Sequence, residues 1–425
     1  MADRSLHIAW LGPAPGEDGG VAGVATELLA GLAARGHRID SFFPSAGQPL
    51  PPRVSDNANL TFTWGTSVWQ WDRWYSRTRI AAFVSGMVAR GLASVRLRRQ
   101  IMERHRQQPF DLVYQFSSIE SFALPPQLRR SVPLVIHPET HAAGELRALV
   151  SERRLGLRCH PAYRYAAVAT VMLLRSLLQF VSIRRARLLV CISGVFRDHL
   201  VRDYRFPSEH TAVVPNPVRL ERFAPARKAV GEPPLILVLG RVAVRKGIED
   251  VVAVANLLHD RDVRARFRVV GGPSLWSDYT PLLADLPESA EYAGRVEAAA
   301  VGAELVASDV LLQASSYEPF ALTVAEALAA GIPVVGTSEV GAIEGVDRSV
   351  AAEVAPGDVP AMADAIEQTL QRLRADPAAV RVCAREEAER LYAPEVVCEQ
   401  ISAALQRLVG GEREPLARPA PARAA

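Results

Sequence analysis

The chain has 425 residues, of which 49% are hydrophobic and 22% charged, with a formal net charge of +3. That is an ordinary globular balance, long enough for two domains of roughly 200 residues each, and it excludes a disordered, fibrous or strongly polyionic chain. Four cysteines, Cys159, Cys191, Cys383 and Cys398, lie far apart with no CxxC spacing, so neither a disulfide framework nor a zinc site is expected, and a reducing cytoplasm fits.

The charge is unevenly divided. Residues 1–222 hold 29 Arg and 17 Asp plus Glu, a net of +12, whereas the remainder holds 20 Lys plus Arg and 29 Asp plus Glu, a net of −9. The first half is therefore expected to meet an anionic partner or surface. The first residues, MADRSLHIAWLG, contain an apolar run too short for a signal peptide and read as a first strand. No stretch approaches the ~20 uninterrupted apolar residues of a spanning helix.

LHIAWLG, the loop PAPGEDGGVAG and the helix ATELLAGLAARGH follow one another. A strand, a glycine-rich loop and a helix N-terminus can cradle a phosphate, although the loop lacks the G-K-[ST] of a Walker A and a plain strand-to-helix turn reads equally well. RIDSFFP is a second strand. TWGTSVWQWDRWYSRTRI is crowded with tryptophan and leads into a basic helix, GMVARGLASVRLRRQIMERHR. Aromatic and arginine residues on an amphipathic segment suit an anionic membrane surface. The alternative is a solvated helix whose tryptophans belong to the core or to a cleft. Nucleic acid is not expected, because no binding module surrounds the segment.

DLVYQF and PLVIH are further strands, so the first half alternates β and α as a doubly wound sheet does, with ligands beyond the carboxyl ends of its strands. His137 ends PLVIH, as an acceptor-site hydrogen bonder or as a capping imidazole. His137 and His141 stand at i, i+4, but Pro138 argues against a helix and there is no HExxH, so no metal site is expected. Tyr165 to Ile183 reads as a buried helix, with partial membrane immersion as the minority reading. A linker over residues 221–234 carries the prolines of a domain boundary.

LILVLGRVAVRKG opens the second half. Arg241 and Lys246 flank a strand end and a helix start, an arrangement suited to a diphosphate. FRVVGGPS, EYAGRV and DVLLQASS are strands. SSYEPFALTVAEALAAGIPVV then gives a loop with Glu318, a helix from about Thr323 with Glu326 in its first turn, a stop at Gly331 and Pro333, and a buried strand. The first-turn amides near Leu322 to Val324 offer a site for an anion. Thr323 and Glu326 also fit a capping box, which is the structural alternative for that glutamate. AMADAIEQTLQRL and PEVVCEQISAALQRL are amphipathic helices.

Glu318 and Glu326, with S-S-Y-E before the loop and E-A-L-A-A-G-I-P-V-V after the first turn, closely resemble the E-x7-E motif of retaining glycosyltransferases of family 4, which have the GT-B fold. GRVAVRKG resembles the family's G-R-x4-K-G, and TAVVPNPVRLERF resembles its P-N-G-V-D segment, with proline for glycine and Arg219 for the aspartate. The loop departs at Pro319 and Ala321, where the family often has glycine. The resemblance implies an α/β, GT-B architecture of two Rossmann-like doubly wound domains facing each other across a cleft. It implies an acceptor-binding domain over 1–222, a nucleotide-sugar domain over 223–393, a last helix over 394–410 crossing back to the first domain, and a disordered tail over 411–425.

The implied reaction is retaining, metal-independent transfer from a UDP- or GDP-linked sugar to an acceptor hydroxyl on a glycan, a lipid-linked molecule or a small molecule, with no cofactor. Glu318, Arg241, Lys246 and His137 are the implied catalytic residues. Glu326, Leu322, Thr323, Phe320, Ala321, Gly19, Gly20, Asn216, Gly272, Arg295 and Val296 are the implied donor-binding ones. Asp260-x-Asp262 is formally the DxD of another glycosyltransferase fold, but it falls in a helix-end loop and reads as surface charge. A GT-B epimerase or phosphorylase, or an idle sugar-nucleotide-binding subunit, would use the same cleft.

Overall fold

The computed structural model describes residues 4–17, 20–45, 47–65, 73, 77, 79–116, 124–151, 153–159, 161–225, 229–273 and 278–411. Gly19, Lys228, most of the tryptophan-rich stretch and the tail from 412 lie outside the described residues.

The first unit contains β1 (His7–Leu11), α1 (Val21–Ala34), β2 (Arg38–Phe43), α2 (Pro52–Ser55), β3 (Leu60–Trp64), α3 (Arg79–Gln107), β4 (Leu112–Gln115), α4 (Pro126–Ser131) and β5 (Leu134–Ile136). It continues through α5 (Ala142–Ser151), α6 (Arg153–Cys159), α7 (Ala162–Ile183), β6 (Leu188–Cys191), α8 (Gly194–Tyr204) and β7 (Thr211–Val213). The second unit contains β8 (Leu235–Leu239), α9 (Ile248–Asp260), β9 (Arg266–Val270), β10 (Ala290–Gly294), α10 (Val301–Ala307), β11 (Val310–Gln313), α11 (Leu322–Ala329), β12 (Val334–Thr337) and β13 (Ala351–Val354). Three helices follow among the described residues: α12 (Val359–Ala375), α13 (Pro377–Tyr392) and α14 (Pro394–Gly410).

Both sheets are parallel throughout their described strands, in the orders β3-β2-β1-β4-β5-β6-β7 and β10-β9-β8-β11-β12-β13. Each order reverses at its first strand, between β1 and β4 and between β8 and β11. Crevices therefore open at the carboxyl ends of these strands, where ligands of doubly wound sheets bind. The strands read as continuous apolar runs because helices cover both faces.

One core layer lies between the first sheet and α1 with α14, where Leu28, Leu32, Ile401 and Leu405 are fully buried, each contributing ~1.5–3 kcal/mol. The approach of these helices depends on Gly31, since a Cβ there would meet Cys398 Sγ at 2.4 Å. Helix α14, the last among the described residues, is thus built into the first unit, and His37 Nε2 meets Ser402 Oγ at 2.7 Å. A second layer lies under the other face of the first sheet and runs without a break into α11 and α13 of the second unit. A third joins β8, β9, β11 and β12 to α9 and α12.

Two expectations are corrected here. The segment ending at Ile183 is not a buried helix: α7 has 22 residues, is long and apolar enough to cross a membrane, and exposes Leu173, Leu174 and Leu177. The rule of uninterrupted apolar residues overlooked it because Arg164 and Arg175 break the run. The helix after Glu318 starts at Leu322, one residue earlier than read, so Glu326 falls just beyond its first turn.

Candidate active site between the two sheets

The loop from β11 to α11 carries Glu318, which is buried and faces two cations. Its Oε2 is paired with Lys246 Nζ and lies 2.9 Å from Arg245 Nη1. Burial alone would raise the Glu318 pKa, but Lys246 and Arg245 outweigh it and hold the carboxyl below its ordinary value. Burial lowers the Lys246 pKa, with Glu318 opposing, whereas the ion pair keeps Arg245 charged. Arg241 is exposed beside them, its pKa lowered by burial of its base and by the neighbouring charges of Arg245 and Arg295. Arg295 is exposed just after β10, against Gly272, where an added Cβ would lie 3.5 Å from the Arg295 Cβ.

Arg241 and Lys246 of the G-R-x4-K-G pattern stand in the same group, joined by a further arginine. Arg245, adjacent to Lys246, touches Glu318 and was not singled out. Arg241 stands further out, as a second cation on the rim.

Several contacts hold the Glu318 loop in place. Glu318 N donates to Glu339 O at 3.0 Å, Gly341 N to Glu318 O at 3.1 Å, and Ala342 N to Phe320 O at 2.7 Å. From the first unit, Ser193 Oγ donates to Pro319 O at 2.8 Å. The α8 N-terminus receives the Glu344 carboxylate on Gly194 N, where the helix dipole favours a negative charge. Beside Glu318, Tyr317 hydroxyl meets His141 Nδ1 at 2.6 Å, and His141 Nε2 lies 3.0 Å from Asp203. His141 is therefore an interdomain brace.

Helix α11 begins with Ala321 as N-cap at φ 76°, ψ 83°, and no side chain caps it. An L-residue held there carries ~1–2 kcal/mol of strain. The capping box does not form, because Ala321 rather than Thr323 is the N-cap, and Thr323 Oγ1 donates to Gln313 Oε1 at 3.3 Å. The amides of Leu322 and Thr323 have no intrahelical acceptor, so the helix start is open to an anion. Phe320 turns inward, edge-on to Tyr392 at 5.7 Å between centroids, so its ring belongs to the core rather than the cleft.

Glu326 does not join the cationic group. It lies one turn beyond Leu322 on the same helix face and lines a cleft with Gly20, Glu27, Arg219, Arg222 and Leu322. Burial pushes its carboxyl up to about 7, partly offset by Arg222. Val296, just after β10, packs its side chain against the shared core.

His137 and Asn216 meet on the first unit's side, through a residue that the sequence reading passed over. Asn216 Nδ2 donates to Glu139 Oε2 at 2.8 Å, and Glu139 Oε1 lies 3.4 Å from His137 Nε2. Tyr114 hydroxyl lies 2.6 Å from His137 Nδ1, and its pKa is raised well above the ordinary value by burial. It therefore donates, which leaves the Nε2 proton of His137 available. Burial pushes the imidazole down to about 3 and the Glu139 carboxyl up to about 7, the latter opposed by the Asn216 hydrogen bond. Among the described residues, Asn216 Oδ1 is buried without a hydrogen-bond partner, and His137 Nε2 and Glu139 Oε1 have only their 3.4 Å approach to each other, which leaves room for a polar ligand.

The Glu139 shift has a measurable sign. Its folded pKa of about 7 lies above the ordinary 4.5, so the native state holds the proton more tightly than the unfolded chain. That stability is complete below pH 4.5 and is lost as pH rises through 7. Glu139→Gln, neutral at every pH, should match the wild type at pH 5 and exceed it by roughly 2–3 kcal/mol at pH 8. Urea unfolding at the two pH values checks this, and a difference independent of pH would refute a buried neutral acid.

Among the described residues, no group of three His, Cys, Asp or Glu side chains is placed to hold a metal ion. Asp260 and Asp262 are exposed, and Arg261 between them pairs with Asp364 and Glu367.

Residues 18–222 match the family model Glycosyltransferase Family 4, and residues 233–372 match the model Glycosyl transferases group 1. Mannosylfructose-phosphate synthase of Agrobacterium fabrum is 28% identical over 36% of this chain and 38% of that protein. D-inositol 3-phosphate glycosyltransferase of Streptomyces bingchenggensis is 36% identical over 42% and 43% of the two chains. The chain spans from 38% to 58% of the length of the first curated relatives it matches.

Among solved structures, sucrose-phosphate synthase from Thermosynechococcus elongatus superposes with a TM-score of 0.66 at 20% identity, covering 96% of this chain and 100% of that one. HepE from Anabaena, in complex with UDP and glucose, superposes with a TM-score of 0.61 at 15% identity, covering 94% and 99%. At these identities the likeness establishes the fold, which is GT-B.

Proposed function

From a chain that carries the two domains of a GT-B glycosyltransferase, we propose a retaining transfer of a sugar from a nucleoside-diphosphate sugar to an acceptor hydroxyl, without a metal ion. The reading rests on the convergence of Arg245, Lys246 and Glu318 beside Arg241 and Arg295. Arg245 and Lys246 pair with Glu318, Arg241 and Arg295 stand beside them, and Glu145 of the first unit acts on both Arg241 and Arg245. Glu145 is itself 3.6 Å from Arg175, so positive charge exceeds negative here, as a donor diphosphate requires.

Chemically, bond cleavage at the anomeric carbon moves charge onto the departing diphosphate. Fixed cations and open helix amides stabilise that charge best when it is fully developed. Lys246 and Arg245 hold the leaving oxygens, and the amides of Leu322 and Thr323 hold the diphosphate at the start of α11. Glu318 faces the sugar hydroxyls and steadies positive charge at the ring. His137 donates its Nε2 proton to a hydroxyl, in a pocket where Glu139 and Asn216 complete the hydrogen bonding. Glu326 accepts from the ribose hydroxyls. Attack comes from the face the leaving group departs from, and a donor phosphate oxygen takes the acceptor's proton. NMR of the product's anomeric centre tests retention, and inversion would refute it. Incubation with donor alone separates transfer from epimerisation.

Glu326→Gln should weaken UDP or GDP binding by ~10-fold, the scale of one lost charge-assisted hydrogen bond. Because the Glu326 carboxyl sits at about 7, wild-type affinity should rise more steeply between pH 6 and pH 8 than that of the variant, which follows only the ionisation of the nucleotide's terminal phosphate. Calorimetry with both nucleotides measures this, and unchanged affinity would take Glu326 out of the donor site.

A further inference from the structure

We propose that α3 and α7 form a docking surface for an anionic lipid bilayer, a property separate from the transfer reaction. Helix α7 has two unlike faces. Val168, Met172, Gln179, Ser182 and Ile183 are buried, and Gln179 Oε1 accepts from Ala142 N at 2.7 Å and from Tyr204 hydroxyl at 2.6 Å. The opposite stripe, at helical spacing, carries Tyr163, Leu174, Leu177 and Val181, with Leu174 56% and Leu177 55% exposed. In α3, Ala82, Ala93, Leu97 and Ile101 are buried, whereas Val84, Val88, Leu92 and Val95 are each more than half exposed.

Both helices pack on the same face of the first sheet, opposite α1 and α14. This follows from right-handed crossovers, since β3-to-β4 and β5-to-β6 move across the sheet in one direction and β1-to-β2 in the other. The two stripes therefore look outward on one side. Of the 14 large hydrophobic residues exposed among the described residues, 11 lie on α3, α5, α6 and α7. Scattered exposed leucines need no explanation, but a concentration of this kind marks a contact surface.

Charge selects the occupant. Residues 79–107 hold seven Arg and one Glu, and residues 142–187 hold nine Arg and two Glu. Arg99, Arg153, Arg154, Arg164 and Arg184 are exposed around the apolar stripes. A second copy of the chain would set like charges against each other, whereas anionic headgroups complement them and the acyl region accepts the leucines. The Gln179 hydrogen bonds and the buried face tie α7 to the sheet, so it lies along the bilayer surface rather than across it.

Flotation of the full chain with vesicles of 70% phosphatidylcholine and 30% phosphatidylglycerol, against phosphatidylcholine alone, tests the assignment. At least tenfold more protein should float with the anionic vesicles, and 0.5 M NaCl should reduce it several-fold. Leu174→Glu/Leu177→Glu should lower the bound fraction at least tenfold, and Arg153→Glu/Arg154→Glu several-fold, with melting temperature and UDP binding retained. Wild type that does not float, that floats equally with both vesicles, or that is matched by Leu174→Glu/Leu177→Glu overturns the proposal. A dimer that this variant splits, without vesicle binding, assigns the face to a second copy instead.

Discussion

Lys246→Ala is expected to lower kcat/KM for sugar transfer by roughly 10²–10³-fold, the loss that follows removal of one preorganised donor to developing charge, or ~2.7–4 kcal/mol. The residue is well suited to such an effect. Its ammonium is half-buried against Glu318, the side chain 16% exposed, so water replaces it poorly at the diphosphate. The fold should survive, because Arg245 remains 2.9 Å from Glu318 and keeps that carboxylate paired. The measurement is donor turnover with and without acceptor, read beside the thermal melting curve. Turnover within a few-fold of wild type would remove Lys246 from the mechanism. A collapsed melting temperature would instead identify a structural ion pair.

Gly247→Ala should cost the protein stability and activity together. Gly247 follows the short turn carrying Arg245 and Lys246 and caps α9 at φ 69°, a left-handed conformation. A Cβ there would lie 1.8 Å from Ala314 O, so the turn must move away from the β11 loop. That movement breaks the bonds from Ser316 N and Tyr317 N to Arg245 O and draws both cations away from Glu318. Clash and backbone strain together amount to roughly 3–5 kcal/mol. A lowered melting temperature with loss of donor binding is the expected result. A stable variant with normal affinity would show that the close approach of these loops does not set the site.

The two predictions separate chemistry from architecture. The first removes a charge and leaves the backbone in place, whereas the second leaves every charge in place and moves the backbone. If the donor site is assembled as proposed, the first lowers kcat/KM far more than stability, and the second lowers both.

The alternation of apolar runs with amphipathic stretches was legible as two parallel sheets, because strand and helix periods are local properties of the chain. Glu318 and Lys246 were legible as loop residues, since Pro319 follows the one and Gly247 the other, and Glu326 as a residue near the start of a helix. Other features were not legible in the sequence. Arg245, in the 3-10 turn Val244–Lys246, pairs with Glu318 from 73 residues away, and a spacing count does not reveal such a contact. Glu139 looked like a loop residue after Pro138, and only the return of Asn216 from the end of β7 encloses it. Phe320 and Ala321 lie within the motif, yet one ring turns into the core and the other residue takes a left-handed backbone.

What the amino-acid sequence determined by itself is the order of strands and helices and the identity of the charged groups at their ends, since both follow from neighbours within a few residues. The tertiary structure decided which of those groups meet, which carboxyls lose water and shift, and which face of α7 stays uncovered. The physical reason is common to all three. Burial and ion pairing depend on surfaces brought together from distant parts of the chain, and a helix that is apolar over most of its circumference does not reveal which side its neighbours will cover.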